Sequence, residues 1–243
     1  MANTNTPRIE RVKKVWTLDA KLWVPHKEEE IAFPTPSFGP DIYQSVGQVI
    51  LGNGLKVPTG DYTASLLHSI YCNPKVKDAE FQNVRDLMKS NWIWVYVVKV
   101  YTDKGNYAIQ DTKARGRSID TPLSELEKMI LKKNGAREIG RFRFSEDGRV
   151  SFAPKGTYKF GKHTHQSLSE DGDVIITYGI DGAKKLGEVS SRFRFHPITD
   201  GVEVLEGNAP KLRVSAINRY DVRLHVYGDD FGVSDIGCAF GVL

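Results

Sequence analysis

The sequence is poor in cysteine, lacks a long apolar run and carries no leader-like segment, and each absence removes a class of protein. Only two cysteines, Cys72 and Cys238, occur in 243 residues, far apart along the chain. Two cysteines allow at most one long-range disulfide, and two free thiols in a reducing compartment are the preferred expectation. The longest strongly apolar run, residues 92–98, meets Lys99 and ends. It falls far short of the roughly 18–20 residues a membrane-crossing helix needs. The opening MANTNTPRIERVKK is charged with no apolar segment behind it, and no Asn-x-Ser/Thr acceptor occurs. A soluble, cytoplasmic protein with no membrane partner is the expectation.

Signature motifs are missing too. There is no Gly-x-Gly-x-x-Gly dinucleotide fingerprint and no Gly-x-Ser-x-Gly elbow. Gly156, Gly161 and Lys162 come near a phosphate-binding loop, but His163 stands where magnesium needs Ser or Thr, and the Thr-Tyr-Lys-Phe between them is bulky. Two distant cysteines and scattered histidines predict no structural zinc or other metal, and no cofactor.

What is present is an ordinary globular composition, 40% hydrophobic, 26% charged and 10% aromatic. Net charge is +4, and residues 112–149 hold ten Lys/Arg against six acids. Such an excess suits a polyanion or a solvated face.

Periodicity predicts an α+β fold, mainly antiparallel sheet built from hairpins, with three to four packed helices. Residues 33–40 carry three prolines and are expected to be loop. Residues 46–58 read as a hairpin turning at Gly52-Asn53-Gly54. One helix opens at Gly60-Asp61 with Leu66, Leu67, Ile70 and Tyr71 as its apolar stripe, and ends at Asn73-Pro74. A second spans 78–90, with Phe81, Val84, Leu87 and Met88. Residues 92–102 and 107–110 form a hairpin. A third helix has Thr121 as cap, Pro122 first in the helix, Leu126 and Ile130 buried, and Gly135 as stop. A short helix is expected near 182–191, and three short strands over 211–242, with turns at Arg219-Tyr220 and over 228–234. The preferred division is an N-terminal lobe, 1–111, and a C-terminal lobe, 112–243, with a single compact domain as the alternative.

Arg141-Phe142-Arg143-Phe144 and Arg192-Phe193-Arg194-Phe195 each lead toward an Asp-Gly turn and a short Val-x-Phe/Val run. This predicts a repeated helix–hairpin unit. In a strand, phenylalanines would face the core and arginines the outside. Arg141, Arg143, Arg149, Arg192 and Arg194 are therefore candidate polyanion contacts, with Glu203 placed to pair with Arg192 or Arg194.

Three polar groupings could carry chemistry. Asp61, Ser65, His68 and Cys72, spaced four, three and four apart, share one helix face, read as solvated. His163 and His165 would lie on one side of a strand, read as surface histidines. Asp229, Asp230 and Asp235 cluster in a turn without the spacing of a calcium loop. Two function classes follow. The preferred one is a non-enzymatic binding protein, with nucleic acid or another polyanion as its sharpest form. The other is a hydrolase or transferase with a histidine-containing site drawing on Asp61, His68, His163 or His165.

Overall fold

Alternate residues of one strand define the core. In β5 (Trp92–Tyr101), Ile93, Val95 and Val97 join one buried cluster while Trp94 and Val98 join another. A strand buried on both faces belongs at the centre of a sheet covered on both sides. The structure is a computed structural model that describes residues 7–15, 18–73, 78–229 and 236–243.

Three strands precede that centre: β1 (Arg8–Val15), β2 (Leu18–His26) and β3 (Glu29–Thr35) form a separate antiparallel sheet. Next come β4 (Phe38–Asp41) and helices α1 (Tyr43–Gly52), α2 (Gly60–Cys72) and α3 (Ala79–Ser90). β5 pairs with β6 (Gly105–Gln110), and α4 (Leu123–Met129) follows. The short strands β7 (Arg137–Ile139) and β8 (Phe142–Phe144) lead to β9 (Val150–Pro154) and β10 (Gly161–Lys162). Then come α5 (His165–Glu170) and the long α6 (Gly172–Arg192). The chain closes with β11 (His196–Asp200), β12 (Lys211–Tyr220), β13 (Arg223–Asp229) and β14 (Gly237–Ala239).

The large sheet runs β10-β11-β13-β12-β5-β6-β9-β8-β7, and β14 links β4 to β5. Among the described residues only β11–β13 and β14–β5 are parallel. The α+β fold with mostly antiparallel strands is as expected. The sheet draws strands from both sides of residue 111. Among the described residues no helix is long and apolar enough to cross a membrane.

Several local expectations are corrected. Residues 43–52 are helix, not half a hairpin: Tyr43, Val46, Gly47 and Ile50 are buried at helical spacing. Asn53-Gly54 is the helix stop. The Leu55 N–H donates to the Ile50 carbonyl and the Gly54 N–H to the Leu51 carbonyl, with Gly54 at φ 73°. Residues 33–40 contribute to β3 and β4, because both strands lie at sheet edges, where proline's missing donor is tolerated. Pro122 stands just before α4, and the Thr121 side chain does not cap it.

The predicted short helix is the second half of α6, which starts ten residues earlier on Asp171. That carboxylate accepts from the Asp173 and Val174 N–H groups. The second Arg-Phe segment is not a strand: Arg192 ends α6, Phe193 caps it and Arg194 has φ 52°. Residues 201–205 form no strand, so the helix–hairpin unit is not repeated. Phe195 is buried, but Phe193 is 39% exposed. β8 is a strand, but Phe142, Arg143 and Phe144 are all half-buried, the two phenylalanines against the main core.

Candidate functional site

A tight turn, a helix start and a helix kink converge beside one another. The β2–β3 turn places Lys27 at φ 54°, a left-handed conformation that a lysine adopts only where its surroundings hold it. Its Nζ lies 3.1 Å from Asp61 Oδ2 in the first turn of α2. Asp61 also accepts from Thr59 Oγ1 at 2.7 Å and from the Tyr62 N–H at 3.0 Å. Burial alone would raise the Asp61 carboxyl, but the Thr59 hydrogen bond and the Lys27 charge outweigh it and hold the group below its ordinary value.

One turn further along α2, the Ser65 hydroxyl is a junction. Lys185 of α6 donates to Ser65 Oγ at 2.8 Å, and Ser65 Oγ lies 3.0 Å from the Asp61 carbonyl. His26 Nδ1 is 2.9 Å from the same oxygen, and His26 Nε2 is 3.5 Å from Asp61 Oδ2. Burial lowers the His26 pKa against the pull of Asp61, and burial likewise lowers that of Lys185.

Two proton arrangements satisfy this set. In one, Ser65 donates to the Asp61 carbonyl and His26 donates to Ser65. In the other, Ser65 donates to His26 and His26 to the Asp61 carboxylate, the order of a nucleophile relay. Ser65 is only 1% exposed, however, so its oxygen offers little surface to a substrate.

These groups border a cleft in two adjoining parts, about 740 Å³ and about 300 Å³. Both parts are lined by Lys27, Asp61, Arg137, Phe144, Tyr178 and Gly179. Gly179 interrupts α6 with φ 75° and ψ 165°, backbone angles that only glycine adopts readily. Five cationic side chains line the combined cleft (Lys27, Lys56, Arg137, Arg149, Lys185) against three carboxylates (Asp61, Asp147, Asp181). Lys185 lies in the field of Asp181, Asp61 and Glu188, none of them its hydrogen-bond partner. Among the described residues, Lys185 Nζ has only a neutral hydroxyl as a hydrogen-bond partner, and no carboxylate pairs with Arg137.

Of the residues singled out from sequence, Asp61 and Ser65 lie in this cluster, and Arg149 lines the larger part of the cleft. The α2 face is not solvated throughout, since Ser65 is buried and His68 turns away to Glu188 at 2.7 Å. Cys72 is half-buried, and burial pushes its thiol up to about 11. His163 and His165 are not surface residues on a strand. His163 is buried 2.8 Å from Thr199 Oγ1, and His165 opens α5 with Nδ1 2.9 Å from Ser190 Oγ.

The arginines divide. Arg149 lines the cleft near the start of α2, Arg143 lies 3.8 Å from Glu138, and Arg141 is exposed beside β8. Arg192 lies near Cys72, at the other end of α2. Thirteen residues of helix separate those ends by about 20 Å. Glu203 has no strand that would set it against Arg192 or Arg194. Asp229 ends β13, while Asp230 and Asp235 lie outside the described residues. Among the described residues no three His, Cys, Asp or Glu side chains gather as a metal site.

Sequence reasoning missed His26, Lys27, Arg137 and Lys185. Lys27-Glu28 between two strands was the available signal for a tight turn. Nothing local announced that Lys185 would meet a serine 120 residues earlier.

No protein-family model matches the chain, and no curated protein matches it. One solved structure, described as the accommodation of massive sequence variation in Nanoarchaeota by the C-type lectin fold, is similar over 90% of this chain and 100% of that one. Identity is 10% and the TM-score 0.51. The likeness is one of fold. On this C-type lectin-like fold the cleft is framed by the β2–β3 turn, the start of α2, β7–β8 and the kink of α6.

The buried histidines predict a pH response. Burial holds His26 and His163 below 6.5. The unfolded chain therefore takes up these protons first, and stability falls as pH drops through about 6.5. Asp171, pushed up to about 6 by burial and by Asp173, has the opposite sign and acts mainly below that value. Thermal melts between about pH 7.5 and 6 should show a falling midpoint. The fall should shrink in His26→Asn and His163→Asn.

Proposed function

We propose that the protein is a binding protein whose cleft takes up a compact anionic ligand, such as a phosphorylated, sulfated or carboxylated small molecule. The observation that carries this reading is Lys185, a half-buried ammonium on the cleft wall whose hydrogen-bond partner is the Ser65 hydroxyl. Asp181, Asp61 and Glu188 act on this charge only from beyond contact distance, so the half-buried ammonium lacks a contacting carboxylate, and an anion in the cleft supplies one. Lys27 and Arg137 supply further donors from two other elements. The burial of Ser65 favours binding over acyl transfer.

The same reasoning shapes the polyanion idea. Arg149 and Arg192 lie at opposite ends of α2, so one extended strand would have to bridge about 20 Å to touch both. A compact ligand at the cleft needs only the Lys27–Arg137–Lys185 group.

Calorimetric titration with inorganic pyrophosphate at low ionic strength tests the proposal. Lys185→Gln and Arg137→Gln should each weaken binding by about tenfold or more, the loss of one charge-assisted hydrogen bond. Arg192→Gln with Arg194→Gln should leave it unchanged. Binding of single-stranded or duplex nucleic acid that is lost on changing Arg192 and Arg194, with no pyrophosphate binding, would overturn the cleft and favour the extended polyanion.

A further inference from the structure

A second polar group lies away from the cleft, in the interior. Lys99 on β5, Asn106 on β6 and Asp173 in the first turn of α6 are each 0% exposed. Asp173 bridges the other two: its Oδ2 lies 2.5 Å from Lys99 Nζ, and its Oδ1 accepts from Asn106 Nδ2 at 3.1 Å. The strand register places Tyr101 opposite Asn106 and Lys99 opposite Ala108. Lys99 and Asn106 are therefore diagonal neighbours on one face of the hairpin, within reach of a long side chain.

Two further observations concern room and readiness. Gly228 is where a Cβ would come within 2.7 Å of Lys99 Cδ and 3.1 Å of its Nζ, so the glycine clears space for the amine. Asn106 Oδ1 is buried with no hydrogen-bond partner among the described residues, leaving the amide carbonyl oxygen available to a proton donor.

We propose that Lys99 and Asn106 become joined by an intramolecular amide bond, with Asp173 as the catalytic residue that carries the protons. The Lys99 ammonium passes one proton to Asp173, and the free amine attacks Asn106 Cγ. Asp173 gives its proton to the amide oxygen as the tetrahedral adduct forms, then takes one from the attacking nitrogen. Collapse of the adduct breaks the Cγ–Nδ2 bond, and the nitrogen leaves as ammonia with protons relayed through Asp173. The ledger closes on one new amide, one neutral Asp173 carboxyl group and one ammonia, with no oxidant or added co-reactant.

Position and environment favour the step. The reacting groups are held by rigid elements, which removes much of the entropic barrier to bringing them together. Water, the competing nucleophile, is excluded from a site where all three residues are fully buried. The reaction also replaces a buried ion pair, whose charges have given up their hydration, by neutral groups.

The test is the intact mass of the purified full chain under denaturing conditions, followed by tryptic mapping. The expected mass is lower than that of the sequence by one ammonia. Lys99 should resist trypsin, and cleavage after Lys104 should leave segments 90–104 and 105–113 still joined. An unaltered mass overturns the proposal. So does loss of ammonia without joined segments, which would mean that Asn106 had cyclised onto its own backbone. Loss of one water with Lys99 joined to the peptide carrying Asp173 would overturn the assignment of Asn106. Asp173→Asn, if folded, should carry the unmodified mass, and a joined product in that variant would remove Asp173 from the reaction. If Asp173→Asn does not fold, the wild-type mass and map decide alone.

Discussion

Exchanging Lys99 for methionine should cost about 3–5 kcal/mol of unfolding free energy, one of the two largest losses expected of a single side chain here. The change leaves the Asp173 carboxylate, 0% exposed, without the ammonium that faces it at 2.5 Å. Asn106 alone would remain to solvate it. Removing the carboxylate as well, in Lys99→Met with Asp173→Leu, should recover a substantial part of the loss, because the penalty lies in the orphaned charge. The amide to Asn106 is absent from both variants, so the difference between them reports on Asp173 whatever the state of that bond in the native chain. Chemical denaturation of these two variants and of Asp173→Leu alone measures it. A double variant as unstable as the sum of two independent losses would contradict this view of the pair.

Gly60→Ala should be the other large loss, for a steric reason. A Cβ at Gly60 would lie 1.9 Å from the Thr177 carbonyl oxygen and 2.7 Å from its carbon, both backbone atoms of α6 that cannot rotate aside. The two helices must part, at a cost of about 1–3 kcal/mol or more. Gly54→Ala is the matched control. Gly54 has φ 73° with open space around it, so only backbone strain of roughly 1–2 kcal/mol applies. Because Thr59, Asp61 and Tyr62 flank Gly60 and line the cleft, Gly60→Ala should also weaken pyrophosphate binding, whereas Gly54→Ala should not. Melts and titrations on both variants separate the effects. Equal loss of binding in the two would mean that the start of α2 does not set the site.

The legible parts of the fold were those where several local signals agree. The α2 and α3 helices combine apolar spacing with clear ends, and β5–β6 combine β-branched and aromatic runs with a turn. Local signals misled where one motif serves two structures. Asn53-Gly54 turns a hairpin or stops a helix, and the buried Tyr43-Val46-Gly47-Ile50 stripe decides for the helix. Four alternating residues cannot fix a period, so Arg-Phe-Arg-Phe is a strand in β8 and a helix end after α6.

The site was legible only as far as one element reaches. Asp61 and Ser65 stood out together because they are one helical turn apart. His26 reaches Ser65 across 39 residues and Lys185 across 120, contacts made by packing rather than by local pattern. Lys99 carried a signal that was read only as the end of an apolar run. A lysine between Val98 and Val100 in a central strand has no solvent face, so it requires a buried partner.

The account's central claim is that the cleft, and not the outer arginines, receives an anion. Proton–nitrogen correlation spectra of the full chain, recorded while inorganic pyrophosphate is added, test this most directly. The expected result is a saturable set of shifts confined to residues 26–27, 59–65, 137 and 179–185, absent in Lys185→Gln. Shifts centred instead on residues 192–195, or none at saturating probe, would contradict it.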